Sequence, residues 1–326
     1  MQLIRNEMEK RIVCIVGPTA CHKTECAILL AKRIDGEIVS ADSVQVYRGM
    51  DIGSAKPSLE ERQGIPHHLI DCLPIDTPEF SVSQFRSMAA EAISEIHAKN
   101  RTPILVGGSG LYINALTFPL EFAVPRNDMV RQIVSQEYDE NPEKAFGRLR
   151  QNDPETAARL HVNDKKRVVR ALEVFDCSGK PLSAFGNDFQ NDAGSEPPFL
   201  PLLFGLHMER QRLYERINLR VDRMMKQGLL EEAKRIYAMP YDRNLPAMCA
   251  IGYRQLFAYL DGESSLESAV EKIKQESRRY AKRQLTWFRR DQRILWRDVT
   301  NFEDEKERLL DEFTEKTQAF MKGTCE

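Results

Sequence analysis

The amino-acid sequence predicts an α/β protein with a parallel β-sheet core and an all-helical insertion. Short apolar runs rich in β-branched residues, such as 12–16 and 103–106, alternate with longer stretches of helical periodicity. Glycine-rich turns follow both of these runs. Between residues 125 and 198 the β-branched runs disappear and short helical stretches replace them. We therefore expect a sheet core that is interrupted by a helical domain.

The composition is that of an ordinary soluble globular protein. The chain has 326 residues, of which 42% are hydrophobic and 29% charged, and its net charge is −2. Seven cysteines are scattered without paired C-x-x-C spacing, which predicts reduced thiols and neither a disulfide framework nor a zinc site. No segment reaches the roughly 18 apolar residues of a membrane span, and residues 1–11 carry no apolar core. We therefore expect a cytoplasmic protein without a membrane segment.

The first strand, at residues 12–16, leads into a loop with a phosphate-binding pattern. The loop reads Gly17, Pro18, Thr19, Ala20, Cys21, His22, Lys23, Thr24. A helix is predicted at residues 25–33, so backbone N–H groups and the helix N-terminus would face an anion. The phosphate-binding pattern has glycine at the position of His22. Glycine suits this position because it turns tightly and lets the backbone approach a phosphate. The loop is predicted to bind a polyphosphate, and the alternative is an ordinary strand-to-helix turn.

The second strand, at residues 37–40, ends close to Asp42. In an open parallel sheet, ligands bind at the carboxyl ends of the strands, so Asp42 lies where chemistry is expected. A capping or loop aspartate is the alternative that position alone leaves open. Residues 49–78 are rich in Gly, Pro and Asp and predict an irregular excursion over the edge of the sheet. The adjacent His67 and His68 within it point in different directions, which disfavours a shared metal.

The rest of the core continues the same alternation of strands and helices. The predicted elements are a capped helix at residues 81–96, a strand at 103–106, a glycine-rich turn at 107–112, a strand at 201–206, helices beginning near 209 and 264, a strand at 294–296 and a closing helix at 303–321.

Two segments concentrate positive charge although the chain is nearly neutral. Between residues 272 and 297 there are ten Lys or Arg and only two acids. Trp287 and Phe288 lie among these cations, which suits base stacking beside phosphate contacts or, equally, packing of the helix on the sheet. In the insertion, residues 163–173 carry cations on one side and apolar residues on the other. Each segment predicts a polyanion-binding face or a solvated helix surface.

Taken in order, these stretches resemble the tRNA dimethylallyltransferases, which place an isopentenyl group on N6 of the adenosine next to the anticodon. The resemblance covers nearly the whole chain. It is carried by the loop at residues 17–24 and by the blocks at 42–57 (DSVQVYRGMDIGSAKP), 67–71 (HHLID), 106–112 (VGGSGLY), 161–164 (HVND), 170–173 (RALE), 250–253 (AIGY) and 281–288 (AKRQLTWF).

The resemblance implies a fold and a set of partners. The core, residues 1–124 and 199–326, would be P-loop nucleotide-kinase-like, and the insertion, residues 125–198, would contact the anticodon arm of tRNA. The loop would bind the diphosphate of dimethylallyl diphosphate, the prenyl donor, without consuming ATP. Mg²⁺ is the implied cofactor, held partly by Thr24. The chain is expected to act as a monomer.

The resemblance also implies roles for individual residues. Asp42 would be the general base with Thr19 beside it, and Lys23 and Arg220 would bind the diphosphate that leaves. The implied diphosphate- or nucleotide-binding residues are Gly17, Pro18, Thr19, Ala20, Cys21, His22, Lys23 and Thr24. The implied tRNA-binding residues are Asp42, Ser43, Val44, Gln45, Ser109, Lys166, Arg167, Val168, Val169, Arg170, Gly252, Tyr253, Arg254, Lys282, Arg283, Gln284, Trp287 and Arg289.

Two departures from the family pattern bear on function. Cys21 and His22 stand where the family has Ser-Gly, and Val162 replaces a proline. A histidine side chain beside the diphosphate would either obstruct it or, when protonated, donate to it. The alternatives to prenyl transfer onto tRNA are a P-loop kinase of a small molecule, a prenyltransferase acting on free adenylate, and a tRNA-binding protein with an impaired site.

Overall fold

The strands of the described residues form one parallel sheet, which confirms the predicted fold class. The computed structural model describes residues 10–120, 122, 124–185 and 196–323. The strands are β1 (Arg11–Val16), β2 (Gly36–Ala41), β3 (His67–His68), β4 (Thr102–Gly107), β5 (Leu200–His207) and β6 (Leu295–Asp298), in the order β3-β2-β4-β1-β5-β6. The central strand β1 pairs Ile15 with Val106 on one side and with Phe204 on the other.

The helices follow the predicted alternation with strands. Those of the core are α1 (Lys23–Ile34), α2 (Val82–Ala98), α3 (Gly110–Thr117), α8 (Arg210–Lys226), α9 (Leu229–Tyr237), α10 (Tyr253–Leu260), α11 (Leu266–Phe288) and α12 (Phe302–Lys322). Those of the insertion are α4 (Asp128–Glu140), α5 (Pro142–Asn152), α6 (Pro154–Arg159) and α7 (Lys165–Ser178), followed by a 3₁₀ turn at Leu182–Ala184.

Helices cover both faces of the sheet, so the central strands are buried on both sides. Successive side chains of β1 point to opposite faces. Ile12 and Val16 pack with residues of α2 and α3, whereas Val13 and Ile15 pack with residues of α1, α8 and α12. This double burial is the physical reason that the strands are continuous apolar runs and could be found in the sequence.

The excursion between β2 and α2 is mostly irregular, as predicted, but it contains the short edge strand β3. His67 and His68 pair with Ile38 and Val39 of β2. Two polar residues give no alternating pattern, which is why the sequence did not reveal this strand. Their side chains have separate partners: a ring nitrogen of His68 lies 2.7 Å from a Glu37 carboxylate oxygen, and His67 Nδ1 lies 2.8 Å from the Ile65 carbonyl oxygen.

The chain divides into two compact units, Met1–Phe118 with Glu196–Glu326, and Pro119–Ser195. The second unit corresponds to the expected insertion at 125–198, and residues 186–195 of that expectation lie outside the described residues. Its helices enclose their own apolar cluster, which includes Val134, Phe146 and Leu172. Glu173 is fully buried there and accepts hydrogen bonds from the Asn127 amide and from Arg131.

The six cysteines within the described ranges are free thiols, and Cys325 lies outside them. Burial raises the pKa of Cys21 and of Cys26 to about 12, so both thiols are neutral at ordinary pH.

In the part of the chain that the structure describes, no helix is long and apolar enough to cross a membrane.

Candidate active site

The candidate site lies at the carboxyl ends of β1, β2 and β4, where glycines let neighbouring strand ends approach closely. A Cβ on Gly17 would lie 2.4 Å from the Leu206 carbonyl oxygen of β5, and a Cβ on Gly107 would lie 2.1 Å from the Ala41 carbonyl oxygen of β2. Both neighbours are backbone atoms in paired strands, which do not move aside. The Ser109 amide also donates to the Ala41 oxygen.

The loop between β1 and α1 turns through two non-glycine residues with left-handed backbone. Ala20 has φ 61° and His22 has φ 51°. His22 is the residue that precedes α1, and its carbonyl oxygen accepts from the Cys26 amide at 2.9 Å. The positive φ explains why the motif pattern has glycine at this position, since left-handed backbone costs an L-residue about 1–2 kcal/mol.

The side chain of His22 packs against the last helix of the chain. Its ring stacks on Phe302 with the ring centroids 4.2 Å apart, and Nδ1 lies 2.9 Å from a Glu25 carboxylate oxygen. Only 7% of the side chain is exposed. The ring therefore makes its contacts with α12 and the first turn of α1, and not with the cationic side chains that line the loop. These contacts explain how the loop accommodates His22 at the position where the motif has glycine.

Lys23 supplies a poorly solvated positive charge to the loop. Its Nζ donates to the Pro18 carbonyl oxygen at 2.6 Å, inside the turn that the loop makes. The pKa of Lys23 is lowered to about 8, mainly by burial; the nearby Arg220 charge also acts to lower it, whereas Cys21 and Asp42 act in the opposite direction. An ammonium group that has lost its water is stabilised by any anion that enters the loop.

Two arginines of α8, one helical turn apart, reach the same loop. Arg220 Nη1 donates to Thr19 Oγ1 at 3.0 Å, and Arg216 Nε donates to the Ala20 carbonyl oxygen at 3.0 Å. Burial lowers the pKa of Arg220, and the charge of Asp42 offsets part of this effect. Arg216 was not among the residues that the sequence assigned to the site, although its i, i+4 spacing from Arg220 places both side chains on one helix face.

Asp42 fixes the turn that follows β2 and also interacts with the charges of Lys23 and Arg220. Its Oδ1 accepts from the Val44 amide at 2.9 Å and from the Gln45 amide at 3.3 Å. Within the described residues its Oδ2 makes no hydrogen bond, and its negative charge acts on both Lys23 and Arg220. The two roles that the sequence left open are therefore compatible, because one carboxylate oxygen fixes the turn and the other faces no protein donor.

Tyr280 of α11 is a residue near the site that sequence analysis missed. Burial, together with the charge of the nearby Asp42, raises its pKa to about 12. In the sequence it looked like one of the apolar residues on the inner side of the helix.

Several residues that were expected to bind tRNA are available at the surface of their own unit. Those that are exposed are Ser43, Lys166, Arg167, Arg254, Lys282, Arg283 and Arg289. Those that are partly exposed are Asp42, Val44, Gln45, Ser109, Arg170 and Trp287. Arg170 is already engaged, since it donates to the Val124 carbonyl oxygen and pairs with Glu173.

Four of the side chains that were expected to contact tRNA lie in the interior of the described structure. Val168 and Val169 belong to the apolar core of the insertion. Tyr253 is fully buried and donates to Glu232 at 2.6 Å. Gln284 is 5% exposed and bonds to protein backbone. Gly252, which precedes α10, is buried as well.

Trp287 and Phe288 pack α11 onto the sheet, which is the alternative that the sequence left open. Phe288 is buried in the core. Trp287 is partly buried against the same cluster, and its ring lies so close to Gly110 that a Cβ there would be 2.0 Å from Trp287 Cδ1. Base stacking on Trp287 would require this contact to open, so the structure favours packing.

Thr24 remains the candidate for metal binding in the loop. It is exposed in the first turn of α1, and its hydroxyl oxygen is a hard ligand of the type that Mg²⁺ accepts alongside phosphate oxygens. In the described part of the chain, the potential ligand atoms of His22, Glu25 and Glu303 lie within 4.8 Å of one another, without an ion.

Comparison with known proteins gives a consistent family. A model of the IPP transferase family matches residues 45–291. The tRNA dimethylallyltransferase of Alkaliphilus oremlandii is 44% identical over 298 residues, which cover 91% of this chain and 94% of the relative. That of Alkaliphilus metalliredigens is 47% identical over 296 residues, 90% of this chain and 93% of the relative.

Solved structures show the same similarity. The full-length tRNA isopentenylpyrophosphate transferase from Bacillus halodurans has a TM-score of 0.71 and 40% identity, and the match covers 97% of this chain and 98% of that chain. A eukaryotic dimethylallyltransferase acting on tRNA has a TM-score of 0.82 and 26% identity, covering 97% of this chain and 80% of that chain.

The lowered pKa of Lys23 predicts how diphosphate binding depends on pH. Lys23 is protonated below its pKa of about 8 and becomes neutral above it. The affinity for fully ionised methyl diphosphate should fall by up to about tenfold per pH unit above pH 8. Isothermal titration calorimetry in buffers of different ionisation enthalpy should also show proton uptake on binding near pH 9. In Lys23→Arg the affinity should lose this pH dependence, and an unchanged profile in that variant would assign the titration to another group.

Proposed function

Because the chain belongs to the IPP transferase family, we propose that it transfers the dimethylallyl group of dimethylallyl diphosphate to N6 of the tRNA adenosine immediately 3′ of the anticodon, releasing diphosphate. It is a prenyltransferase of the tRNA dimethylallyltransferase type. One observation of the site carries the proposal. Lys23 and Arg220 lie at one loop with Asp42 close enough for its charge to act on both.

The donor diphosphate is bound by the loop and by α8. Negative charge builds on the bridging oxygen as the allylic carbon–oxygen bond breaks, and preorganised positive groups stabilise that charge. Lys23 on the loop and Arg220 on α8 provide this positive charge. Arg216 adds a third cation, which donates to the Ala20 carbonyl oxygen of the loop. Because Lys23 and Arg220 are desolvated before the donor arrives, they lose little hydration on binding.

Mg²⁺ would be held by Thr24 and the oxygens of the donor. When bound, such an ion supplies further stabilisation of the leaving diphosphate. Lys23 and Arg220 would bind the same anion from the loop and from α8.

Asp42 is proposed to accept the proton of the adenine amine. That amine is a weak nucleophile because its lone pair is delocalised into the ring, so a positioned base should accelerate its attack by about 10²–10⁴-fold. Asp42 Oδ1 is held by two backbone amides, which leaves Oδ2 to face the incoming amine. Thr19 accepts a hydrogen bond from Arg220 and so lies beside one of the cations that are proposed to bind the diphosphate.

The tRNA is proposed to bind through exposed cations on each unit. The target base must leave the anticodon stack to reach a partly buried carboxylate, which requires a grip on the flanking backbone. In the insertion, Lys166 and Arg167 are exposed on α7, and in the core, Lys282, Arg283 and Arg289 are exposed on α11 and at its end. The contribution of Arg170 is expected to be smaller, because its charge is already paired with Glu173.

The alternative of a tRNA-binding protein with an impaired site loses its basis. Its single motivation was His22, and the ring of His22 packs on Phe302. A small-molecule kinase would have no use for the exposed cations of both units, and a prenyltransferase of free adenylate would have none for the insertion.

Asp42→Asn should separate the catalytic role of Asp42 from its capping role. Asparagine Oδ1 can still accept from the Val44 and Gln45 amides, so the turn is kept, but the amide cannot take a proton. We expect prenyl transfer from labelled dimethylallyl diphosphate to tRNA to fall by about 10²-fold or more with the melting temperature almost unchanged. Asp42→Ala should be equally inactive and less stable. If Asp42→Asn retained most of its activity, Asp42 would be a capping residue only.

His22→Gly should keep or raise the rate of transfer. Glycine relieves the left-handed backbone at this position, while the contacts of the ring with Phe302 and Glu25 are lost, so the two effects should nearly cancel within about 1 kcal/mol of unfolding free energy. His22→Ala loses the ring and keeps the backbone cost, and should be less stable than either. Label transfer and thermal unfolding of both variants test this, and loss of turnover in His22→Gly would contradict it.

Binding of tRNA should weaken steeply with salt if the exposed cations neutralise phosphates. In a plot of log Kd against log salt concentration, replacing Lys282 and Arg283 together by Ala should reduce the slope by about one for each residue. Lys316→Ala, on the closing helix α12, should leave the slope unchanged. A slope that is the same in the double variant would remove α11 from the tRNA-binding surface.

A further inference from the structure

Gln284 connects the two glycine-rich turns of the active site. It lies on the inner side of α11 and is 5% exposed. Its Oε1 accepts from the Thr19 backbone amide at 2.8 Å, and its Nε2 donates to the Gly108 carbonyl oxygen at 3.0 Å. One side chain therefore bridges the turn that follows β1 and the turn that follows β4.

The two partners fix the orientation of the amide and the choice of residue. A backbone N–H can only donate and a carbonyl oxygen can only accept, so Oε1 must face Thr19 and Nε2 must face Gly108. A carboxylate could satisfy the first partner but not the second, and an apolar side chain could satisfy neither.

Gly108 is part of this arrangement. A Cβ at that position would lie 2.0 Å from Gln284 Nε2 and 3.0 Å from Cδ. The amide is buried and bonded on both sides, so it could give way only by breaking these hydrogen bonds. The glycine is thus required by the approach of Gln284 rather than by its own backbone conformation.

The bond to Thr19 determines which loop amides remain for an anion. Pro18 has no N–H, and the N–H of Thr19 is used by Gln284. The amides that can face a diphosphate therefore begin at Ala20, immediately before the turn into α1. The same bond fixes the backbone of Thr19, whose Oγ1 accepts from Arg220, so the position of the second diphosphate-binding cation also depends on it.

We propose that Gln284 is a positioning residue for the donor: it bonds the Thr19 amide and the Gly108 carbonyl oxygen, and so holds the loop in the conformation that binds the diphosphate. This inference rests on the proposed function and replaces the expectation that Gln284 contacts tRNA. Its neighbours Lys282 and Arg283 are on the exposed side of the same helix, whereas Gln284 acts on the donor from the buried side.

The test compares donor binding with tRNA binding in variants of Gln284. Gln284→Met fills the same space without hydrogen bonds, and its Kd for dimethylallyl thiodiphosphate, an unreactive donor analogue, should rise about tenfold, the loss expected for one to two buried hydrogen bonds. The Kd for tRNA, measured without donor, should stay within about twofold. Gly108→Ala should reproduce the effect on the donor by displacing the amide, and Gln284→Glu should weaken donor binding while retaining the bond to Thr19.

Thr117→Val is the matched control, because it removes the hydrogen bonds of another buried side chain of the same unit, at the last residue of α3. Thr117 Oγ1 donates to the Ile113 carbonyl oxygen and accepts from Arg293. This variant should lower the melting temperature and leave the donor Kd unchanged. If Gln284→Met weakened tRNA binding and not donor binding, Gln284 would be a tRNA ligand and the proposal would be wrong. It would equally be wrong if donor binding changed only in proportion to the melting temperature across all variants, as in Thr117→Val.

The wild-type enzyme separates this inference from the proposed function. If it does not transfer label from dimethylallyl diphosphate to tRNA, the proposed function fails. If it does, and both Gln284→Met and Gly108→Ala bind the donor analogue with unchanged Kd, only the positioning role fails.

Discussion

The close approach of backbone to backbone at the carboxyl edge of the sheet is the constraint on which the site depends. Gly17 and Gly107 touch the carbonyl oxygens of Leu206 and Ala41 so closely that neither position has room for a Cβ. Since these carbonyl groups belong to paired strands, the loops after β1 and β4 are drawn against the ends of β5 and β2. The loop with Lys23, which follows β1, and Asp42, which follows β2, thus lie at the same edge of the sheet.

The electrostatics of the site follow from this crowding. Lys23 and Arg220 are desolvated and repel each other, and burial lowers the pKa of both. The charge of Asp42 offsets part of this cost but cannot neutralise two cations together with Arg216, which reaches the Ala20 carbonyl oxygen. The free site is therefore short of negative charge, and a bound diphosphate supplies it. The positive charge is thus in place before negative charge develops on the leaving group.

The sequence predicted the buried strands, because each is a continuous apolar run. It did not predict which side chains of a helix are buried, because that depends on how the helix packs. The strands β1 and β4 were visible because they are apolar on both faces, whereas the two-residue strand β3 had no pattern to detect. On α11 the sequence could not distinguish Arg283, which is exposed, from Gln284, which is buried. Tyr253 was assigned to tRNA because it lies in the block 250–253 that carries the family resemblance, but its hydroxyl group donates to Glu232 inside the core.

The histidine in the loop shows why a motif position has to be separated into its physical requirements. Glycine satisfies two of them there, a positive φ and the absence of a side chain beside the anion. His22 meets the first at a cost of about 1–2 kcal/mol and avoids the second by directing its ring to Phe302 and Glu25. Ring stacking contributes about 0.5–1.5 kcal/mol and a partly exposed pairing with Glu25 up to about 1 kcal/mol, so the two together can offset such a cost. Because Phe302 begins the last helix, the conformation of the first loop depends on a contact from the far end of the chain, which no local pattern in the sequence could reveal.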